Sequence, residues 1–165
     1  MPKKIIFLAL ICLVLNSISV INVSAKQESS INILDYGANG HDKNEDTNAI
    51  INSISVAVKH GVKFIIIPEG EYIIGKTIDL PSDINLIGKG NAVLKLKDNL
   101  KANTILVRLK GGQNNVITGL TFDGNADNLV IEDTPFRSEA LINQSNTSKK
   151  TSNVRIENCI IKNTY

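Results

Sequence analysis

One short helix followed by a long series of short strands is the feature that most limits what this chain can fold into. Between Asp46 and Gly61 the apolar side chains recur at helical spacing and form a single stripe. Asp46 is suited to accept the free backbone N–H groups of the first turn, and Gly61 stands where a helix of this kind ends. A short helix with one apolar face must cover an apolar surface that the rest of the chain provides.

The residues after Gly61 predict that this surface is made of strands. The run 62–67 is apolar and β-branched and stops at Pro68, as expected for a strand buried on both sides. Further strands are predicted at 72–74, 77–80, 84–87, 92–96 and 104–109. Glycine, proline or polar turn residues separate them. The chain is therefore predicted to be mainly β.

Three of the strand segments align with one another as a repeat. Residues 84–88, 115–122 and 154–161 align on anchor residues that recur after 31 and 39 positions: Gly88, Gly119 and Asn158. Intervals of this size are typical of solenoids, whose successive coils stack. The alignment predicts inward stacks of Leu86 with Ile117 and Ile156, of Leu120 with Cys159, and of Phe122 with Ile161. An antiparallel β-sandwich made from the same strands is the alternative.

The segment from Asn32 to Tyr72 has a distinctive order of elements. It begins Asn32-Ile33-Leu34-Asp35-Tyr36-Gly37-Ala38-Asn39-Gly40, continues through the capped helix, and ends with a buried strand and Pro68-Glu69-Gly70. This order resembles the opening of the pectate-lyase superfamily, in particular its rhamnogalacturonase/epimerase-like N-terminal region. The resemblance covers residues 31–163. It implies an all-β, right-handed parallel β-helix (a solenoid) with a short N-terminal capping α-helix, and a polysaccharide as the partner.

The first 25 residues have the organisation of a signal peptide. Two lysines precede the apolar run 5–15, and Val23-Ser24-Ala25 supplies the small residues of a cleavage site. Polar residues from Asn16 onward shorten the apolar run, so no stable membrane insertion is expected after cleavage. The protein is therefore predicted to be secreted. Residues 26–165 would form the N-terminal part of a β-helix domain, incomplete at its C-terminus because nothing after Ile161 would cover the last coil.

Charge, cysteine content and motifs indicate which partners, disulfides and cofactors are not expected. Cleavage after Ala25 leaves 16 basic and 16 acidic side chains, and a neutral chain has no electrostatic reason to bind nucleic acid. Cleavage also leaves Cys159 as the sole cysteine, which excludes an internal disulfide. No cofactor is evident, and calcium is implied only by the family resemblance. No metal site is predicted, since segment 42–53 lacks the glycine and glutamate of a calcium-binding loop.

The turn after the second aligned strand is the best candidate for a substrate-binding site. Phe122-Asp123-Gly124-Asn125-Ala126-Asp127 resembles the Leu-Thr-Ile-Asp-Gly-Asn turn of the family, where the strand leaves the coil beside the substrate groove. The resemblance predicts that substrate is bound by Asp123, Asn125 and Asp127, with Phe136 and Arg137 nearby. The last two lie in the polar segment 125–152, which we interpret as a long loop. Asp-Gly-Asn is also a common turn sequence, which needs no binding role to explain it.

No catalytic residue is identifiable from the sequence. Glycoside hydrolysis needs two carboxylates across the scissile bond. The repeat alignment places Asp123 over Lys162 and Glu157 over Thr118, so neither acid meets a second one. Two hypotheses remain. The first is an exported polysaccharide lyase or glycoside hydrolase that acts on an acidic polysaccharide. The second is a non-catalytic β-helix, such as a glycan-binding module, a cell-surface stalk or a tailspike-like fibre.

Overall fold

A computed structural model describes residues 29–100, 104–129, 138–144 and 150–164, with the backbone alone described for 138–144. The predicted signal peptide, 1–25, lies outside these residues. Within them the chain forms helix α1 (Thr47–His60), two 3-10 helices (Ile33–Tyr36 and Ala126–Asn128) and ten strands. The strands are β1 Ser30–Asn32, β2 Phe64–Ile67, β3 Gly70–Ile74, β4 Ile78–Asp79, β5 Asn85–Leu96, β6 Thr104–Lys110, β7 Val116–Asp123, β8 Ser138–Gln144, β9 Arg155–Glu157 and β10 Ile160–Lys162.

Successive coils of the chain stack on one another through parallel strands. Every strand pairing among the described residues is parallel, and partners lie one coil apart in sequence. After β2, parallel neighbours are connected mainly through strands on the other sides rather than through crossover helices, which requires the chain to wind around an axis. The architecture is therefore a parallel β-helix, and the antiparallel sandwich alternative is wrong.

The coil has three sides. The first side contains β1, β2, β9 and the N-terminal halves of β5 and β7, while the second contains β3, β10 and the C-terminal halves of β5 and β7. The third side contains β4, β6 and β8. The corner between the first two sides has a register shift between Ile87 and Ala92. Glycine is required at this corner, because a Cβ on Gly88 would lie 2.1 Å from the carbonyl oxygen of Gly119.

Side chains that point inward form continuous stacks along the axis. Tyr72, Leu94 and Phe122 occupy equivalent positions in three successive coils, and all three are fully buried. Burial of each such side chain stabilises the fold by about 1.5–3 kcal/mol. The predicted pairings of Leu86 with Ile117 and Ile156, and of Phe122 with Ile161, are confirmed. Ile161 in the last described coil is 55% exposed.

Helix α1 covers one end of this core. Ile50, Ile54 and Ala57 are buried, and the helix packs against β2 and the first 3-10 helix. Gly61 ends the helix in the left-handed conformation, with φ of 68°, as predicted. The helix is not long and apolar enough to cross a membrane, nor is any other within the described ranges.

The turn before α1 also seals the free edge of β3. The Gly40 carbonyl accepts the Glu71 N–H at 2.8 Å, and the Asp46 carboxylate accepts the Ile73 N–H at 3.1 Å. The expectation that Asp46 caps the first helical turn is wrong. Its other oxygen accepts the Asn39 N–H at 2.7 Å, because the sheet edge and the preceding turn offer donors that are already in reach. Burial raises the pKa of the Asp46 carboxyl.

Two further expectations about strands are wrong. Strand β2 is not buried on both sides, since Phe64 and Ile66 are partly exposed and alternate with buried Ile65 and Ile67. The segment 125–152 is not one long loop. Ser138–Gln144 forms β8, because the third side of the coil offers β6 as a parallel partner.

Candidate functional site

A depression of about 320 Å³ lies on the outward face of the second side, beside the turn that precedes α1. We call it the lysine depression. It is lined by Lys43 from that turn, Glu71 and Ile73 from β3, Lys95 from β5, and Lys97, Asp98 and Asn99 from the segment after β5. Three separate segments of the chain therefore build its walls.

The alternation of the strands explains why these side chains meet. Tyr72 and Leu94 point inward, so Glu71, Ile73 and Lys95 point outward. The parallel register places Ile73 beside Lys95. The same row continues to Asp123 and Lys162 in the next coils, and Glu45 extends it past β3 through a bridge with Ile73. We call these five residues the outward row; neighbouring members lie about 4.8 Å apart because that is the spacing of paired strands.

Two of the lysines in the depression are paired with acids. The Lys95 ammonium lies 3.4 Å from Glu71, and the Lys97 ammonium lies 3.1 Å from Glu45. Between 25% and 51% of each of these four side chains is exposed to solvent. Ion pairs this exposed contribute little to stability, about 0.2–1 kcal/mol each. Their acids therefore restrain the lysines only weakly.

Asp123, a predicted substrate-binding residue, lies in the outward row and is almost fully buried. Its carboxylate accepts the Asn125 N–H at 2.9 Å and the Asn163 amide at 3.0 Å, and lies 3.3 Å from the Lys162 ammonium. Burial opposes its ionisation, but these hydrogen bonds and the lysine together hold the pKa of Asp123 below its ordinary value. Asp123 is thus a stable carboxylate that joins two coils.

Asn125, the second predicted residue, is also buried. It adopts the left-handed conformation, with φ of 51°, and its amide donates to the Leu96 carbonyl at 2.8 Å and to the Asp98 carboxylate at 2.7 Å. Asp98 in turn lines the lysine depression. These contacts connect the predicted turn to the depression, and they account for asparagine at this position by structure alone.

The remaining predicted site residues are placed differently. Asp127 is exposed in the 3-10 helix Ala126–Asn128. Phe136 and Arg137 lie outside the described residues. The structure brings Asp123 and Asn125 into contact, and the substrate-binding role of all five residues stays a prediction.

The sequence did contain a signal for the lysine depression. Lys95 interrupts the apolar run Val93-Leu94-Lys95-Leu96 just after inward Leu94, and Glu71 lies just before inward Tyr72, so both are at outward positions. Aligning 70–74 with 92–96 and 120–123 would have placed both side chains on one face. Lys43 has no such signal, because its position depends on how the turn before α1 folds.

The depression brings three lysines, Lys43, Lys95 and Lys97, together with two acids, Glu71 and Asp98. Its ammonium groups offer hydrogen-bond donors and positive charge to a carboxylate.

The predicted contacts of Asp123 with Lys162 and of Glu157 with Thr118 are confirmed by the strand register.

Calcium stays an implication of the family resemblance and is not placed on any of the described residues. Among them no group of three or more histidine, cysteine, aspartate or glutamate side chains is close enough together to hold a metal ion. Calcium is normally held by six to eight oxygen ligands. We therefore derive no chemical step through calcium.

The fold defines a class of protein, the parallel β-helix, which here has a lysine-lined depression on one side of its coil. Residues 30–165 match the family described as rhamnogalacturonase A/epimerase, pectate lyase-like. The chain belongs to this family. The predicted resemblance to the pectate-lyase superfamily and the predicted right-handed parallel β-helix are both confirmed.

Similar proteins come from two bacteria. Alginate lyase 7 of Azotobacter vinelandii is 33% identical over 110 residues, which are 59% of this chain and 13% of that protein. The A-module of mannuronan C-5 epimerase AlgE6 from the same organism has a TM-score of 0.69 at 26% identity, covering 81% of this chain and 38% of that module. PfbA, a surface adhesin of Streptococcus pneumoniae, has a TM-score of 0.67 at 22% identity, covering 83% and 34% respectively, and shows the fold alone.

This chain spans less than two fifths of each of these proteins. What it shares with the two solved structures is the coiled scaffold.

Proposed function

We propose that this chain is part of a polysaccharide-active protein and that the lysine depression helps to bind a uronate-containing polysaccharide. The observation that supports this most directly is the meeting of Lys43, Lys95 and Lys97 in one depression. Two of the similar proteins are an alginate lyase and a mannuronan epimerase module, and both names refer to polymers of uronate sugars. Each sugar of such a polymer has a carboxylate that a lysine can bind.

The depression is suited to a polymer better than to a single sugar. Each exposed ammonium–carboxylate contact contributes only about 0.2–1 kcal/mol. Useful affinity therefore needs several contacts at once. The outward row supplies them, because Lys95 and Lys162 face the same side of the coil two strands apart.

Binding of a defined oligosaccharide tests the proposal. Isothermal titration calorimetry of the full chain with a mannuronate hexamer is expected to show binding that weakens with salt. Mannohexaose is the matched neutral ligand, since it has the same linkage and a hydroxymethyl group in place of each carboxylate. It is expected to bind much more weakly. Equal binding of the two ligands would contradict a role for the lysines.

Two variants locate the binding surface. Lys95→Gln together with Lys97→Gln is expected to raise the Kd for the mannuronate hexamer roughly five- to thirty-fold, because each contact is worth about 0.5–1 kcal/mol. Lys110→Gln is the control, since Lys110 is an exposed lysine at the end of β6 on the third side. If Lys110→Gln weakens binding as much as the double variant does, the ligand is bound elsewhere.

The same sample separates an enzyme from a binding module. A lyase releases unsaturated uronates that absorb in the ultraviolet, and a C5-epimerase changes the proton NMR spectrum of the sugar without cleaving it. Asp123 is already engaged by Lys162 and by two amide donors, which leaves this carboxylate poorly suited to act as a free base and favours the binding module. Binding without either product would identify this segment as glycan-binding and without catalysis of its own.

We also propose that the protein is exported. Its predicted leader, 1–25, ends in Val23-Ser24-Ala25, and polysaccharides of this kind lie outside the cell. N-terminal sequencing of the protein from culture medium is expected to begin at Lys26. A cell-associated protein that keeps Met1 would contradict export.

A further inference from the structure

Two acids, Glu71 in the lysine depression and Glu45 beside it, hold the lysines that a bound carboxylate would contact. Glu71 lies 3.4 Å from the Lys95 ammonium, and Glu45 lies 3.1 Å from that of Lys97. From this geometry we propose that Glu71 and Glu45 compete with the polysaccharide for these two lysines and so set the affinity and specificity of the depression. The inference rests on the proposed function, since it concerns the same site.

In both ion pairs a ligand carboxylate can replace the acid of the protein. Charge-assisted hydrogen bonds between an ammonium and a carboxylate are commonly 2.7–2.9 Å long. Both distances here are longer, and both pairs are open to water. A carboxylate that arrives from solvent therefore does not have to break a buried pair. It replaces one exposed acid by another.

The two acids are not equivalent. Glu71 is exposed on β3, and 51% of its side chain is open to solvent. Glu45 is more restrained: one of its oxygens accepts the Thr47 hydroxyl at 3.0 Å, and its carboxyl group fills the space in which a Cβ on Gly75 would stand. Glu71 is therefore the acid that can leave its lysine most readily.

Competition of this kind favours one class of ligand. A single carboxylate that displaces one of these acids gains less than the full value of its contact, because the lysine is already paired. A polymer that presents carboxylates in sequence exchanges both pairs within one molecule, and the second exchange is intramolecular. The acids therefore select polyuronates against isolated anions. A neutral polysaccharide has no carboxylate that could replace either acid.

Removing the competitor is expected to tighten binding. Glu71→Gln should lower the Kd for the mannuronate hexamer about two- to five-fold at low salt, which corresponds to about 0.4–1 kcal/mol. The gain should shrink as salt is added. The double variant Glu71→Gln with Lys95→Gln should lose the gain, because the freed lysine is then absent.

A matched acid on another side of the coil provides the control. Asp79 on β4 pairs with Arg108 on β6, with one of its oxygens 2.8 Å from the guanidinium. Asp79→Asn therefore removes an acid from the same kind of pair between coils, outside the lysine depression, and should leave hexamer binding unchanged. If it tightens binding as much as Glu71→Gln, the effect is one of net charge alone and the competition is refuted.

The outcomes separate the two proposals. Wild-type binding with an unchanged or raised Kd for Glu71→Gln would overturn the competition and leave the proposed function standing. Failure of the wild-type chain and of Glu71→Gln to bind the hexamer at low salt would overturn both.

Discussion

Replacing Asn125 tests whether the turn after β7 is a structural junction between coils. Asn125→Gly removes the amide but keeps easy access to the left-handed conformation that this residue adopts, with φ of 51°. Asn125→Ala removes the same amide but keeps a Cβ, without the local polar contacts that let asparagine tolerate that conformation. The pair of variants therefore separates the hydrogen bonds of the side chain from the cost of its backbone geometry.

The magnitude follows from the partners of the amide. Loss of its bond to the Leu96 carbonyl leaves a buried acceptor that costs about 1–3 kcal/mol, and the bond to exposed Asp98 is worth about 1 kcal/mol because water replaces it. Asn125→Gly should thus lower the free energy of unfolding by about 2–4 kcal/mol. Asn125→Ala should lower it by about 1 kcal/mol more.

Chemical denaturation followed by far-ultraviolet circular dichroism measures both values, and this probe suits a chain without tryptophan. The mannuronate hexamer should bind the folded fraction of each variant with nearly wild-type affinity. Suppose instead that Asn125→Gly unfolds with the wild-type free energy while hexamer binding falls tenfold. Asn125 would then be a substrate-binding residue, and the structural account of the turn would be refuted.

Two other perturbations test the packing and the electrostatics of the coil. Gly88→Ala should cost about 1–3 kcal/mol in the same denaturation assay, because its Cβ would meet the Gly119 carbonyl oxygen. Gly37→Ala, which has open space around the Cβ but φ of 90°, should cost only about 1 kcal/mol, and equal losses would refute the steric account. Asp123 has a pKa lowered in the folded state, so its stabilisation should be present above the unfolded value of 3.8 and be lost as pH falls through the lower folded value. Asp123→Asn should therefore destabilise the protein at pH 7 and have less effect near pH 3; a constant difference across this range would contradict the role of its charge.

The coil was predicted from the repeat together with the family resemblance, because the strand pattern alone left an antiparallel sandwich open. Inward positions such as Leu86, Ile117 and Phe122 are apolar in each coil, and alternation with a two-residue period identifies them without a structure. Stacking of equivalent positions then follows from the repeat, because parallel strands in successive coils keep their register. The helix boundaries follow from a polar start at Asp46 and the glycine at position 61.

The lysine depression was not predictable by the same reasoning. Lys97 meets Glu45, 52 residues earlier in the chain, and Lys43 reaches the same place from an irregular turn. No local pattern specifies such contacts. Asp46 shows a related limit: its position before a helix suggested a cap, but its carboxylate binds the N–H groups of Asn39 and Ile73, which only the folded turn brings near.

The sealed edge of β3 has a consequence for how these molecules behave at high concentration. An open parallel edge offers a row of N–H groups on which a strand of another molecule can assemble. Here the N–H groups of Glu71, Ile73 and Gly75 are already taken by Gly40, Asp46 and Thr47. This edge therefore cannot seed end-to-end polymerisation. The turn before α1 therefore ends the stack of strands at β3. The repeating geometry of a β-helix does not by itself limit how many coils can stack.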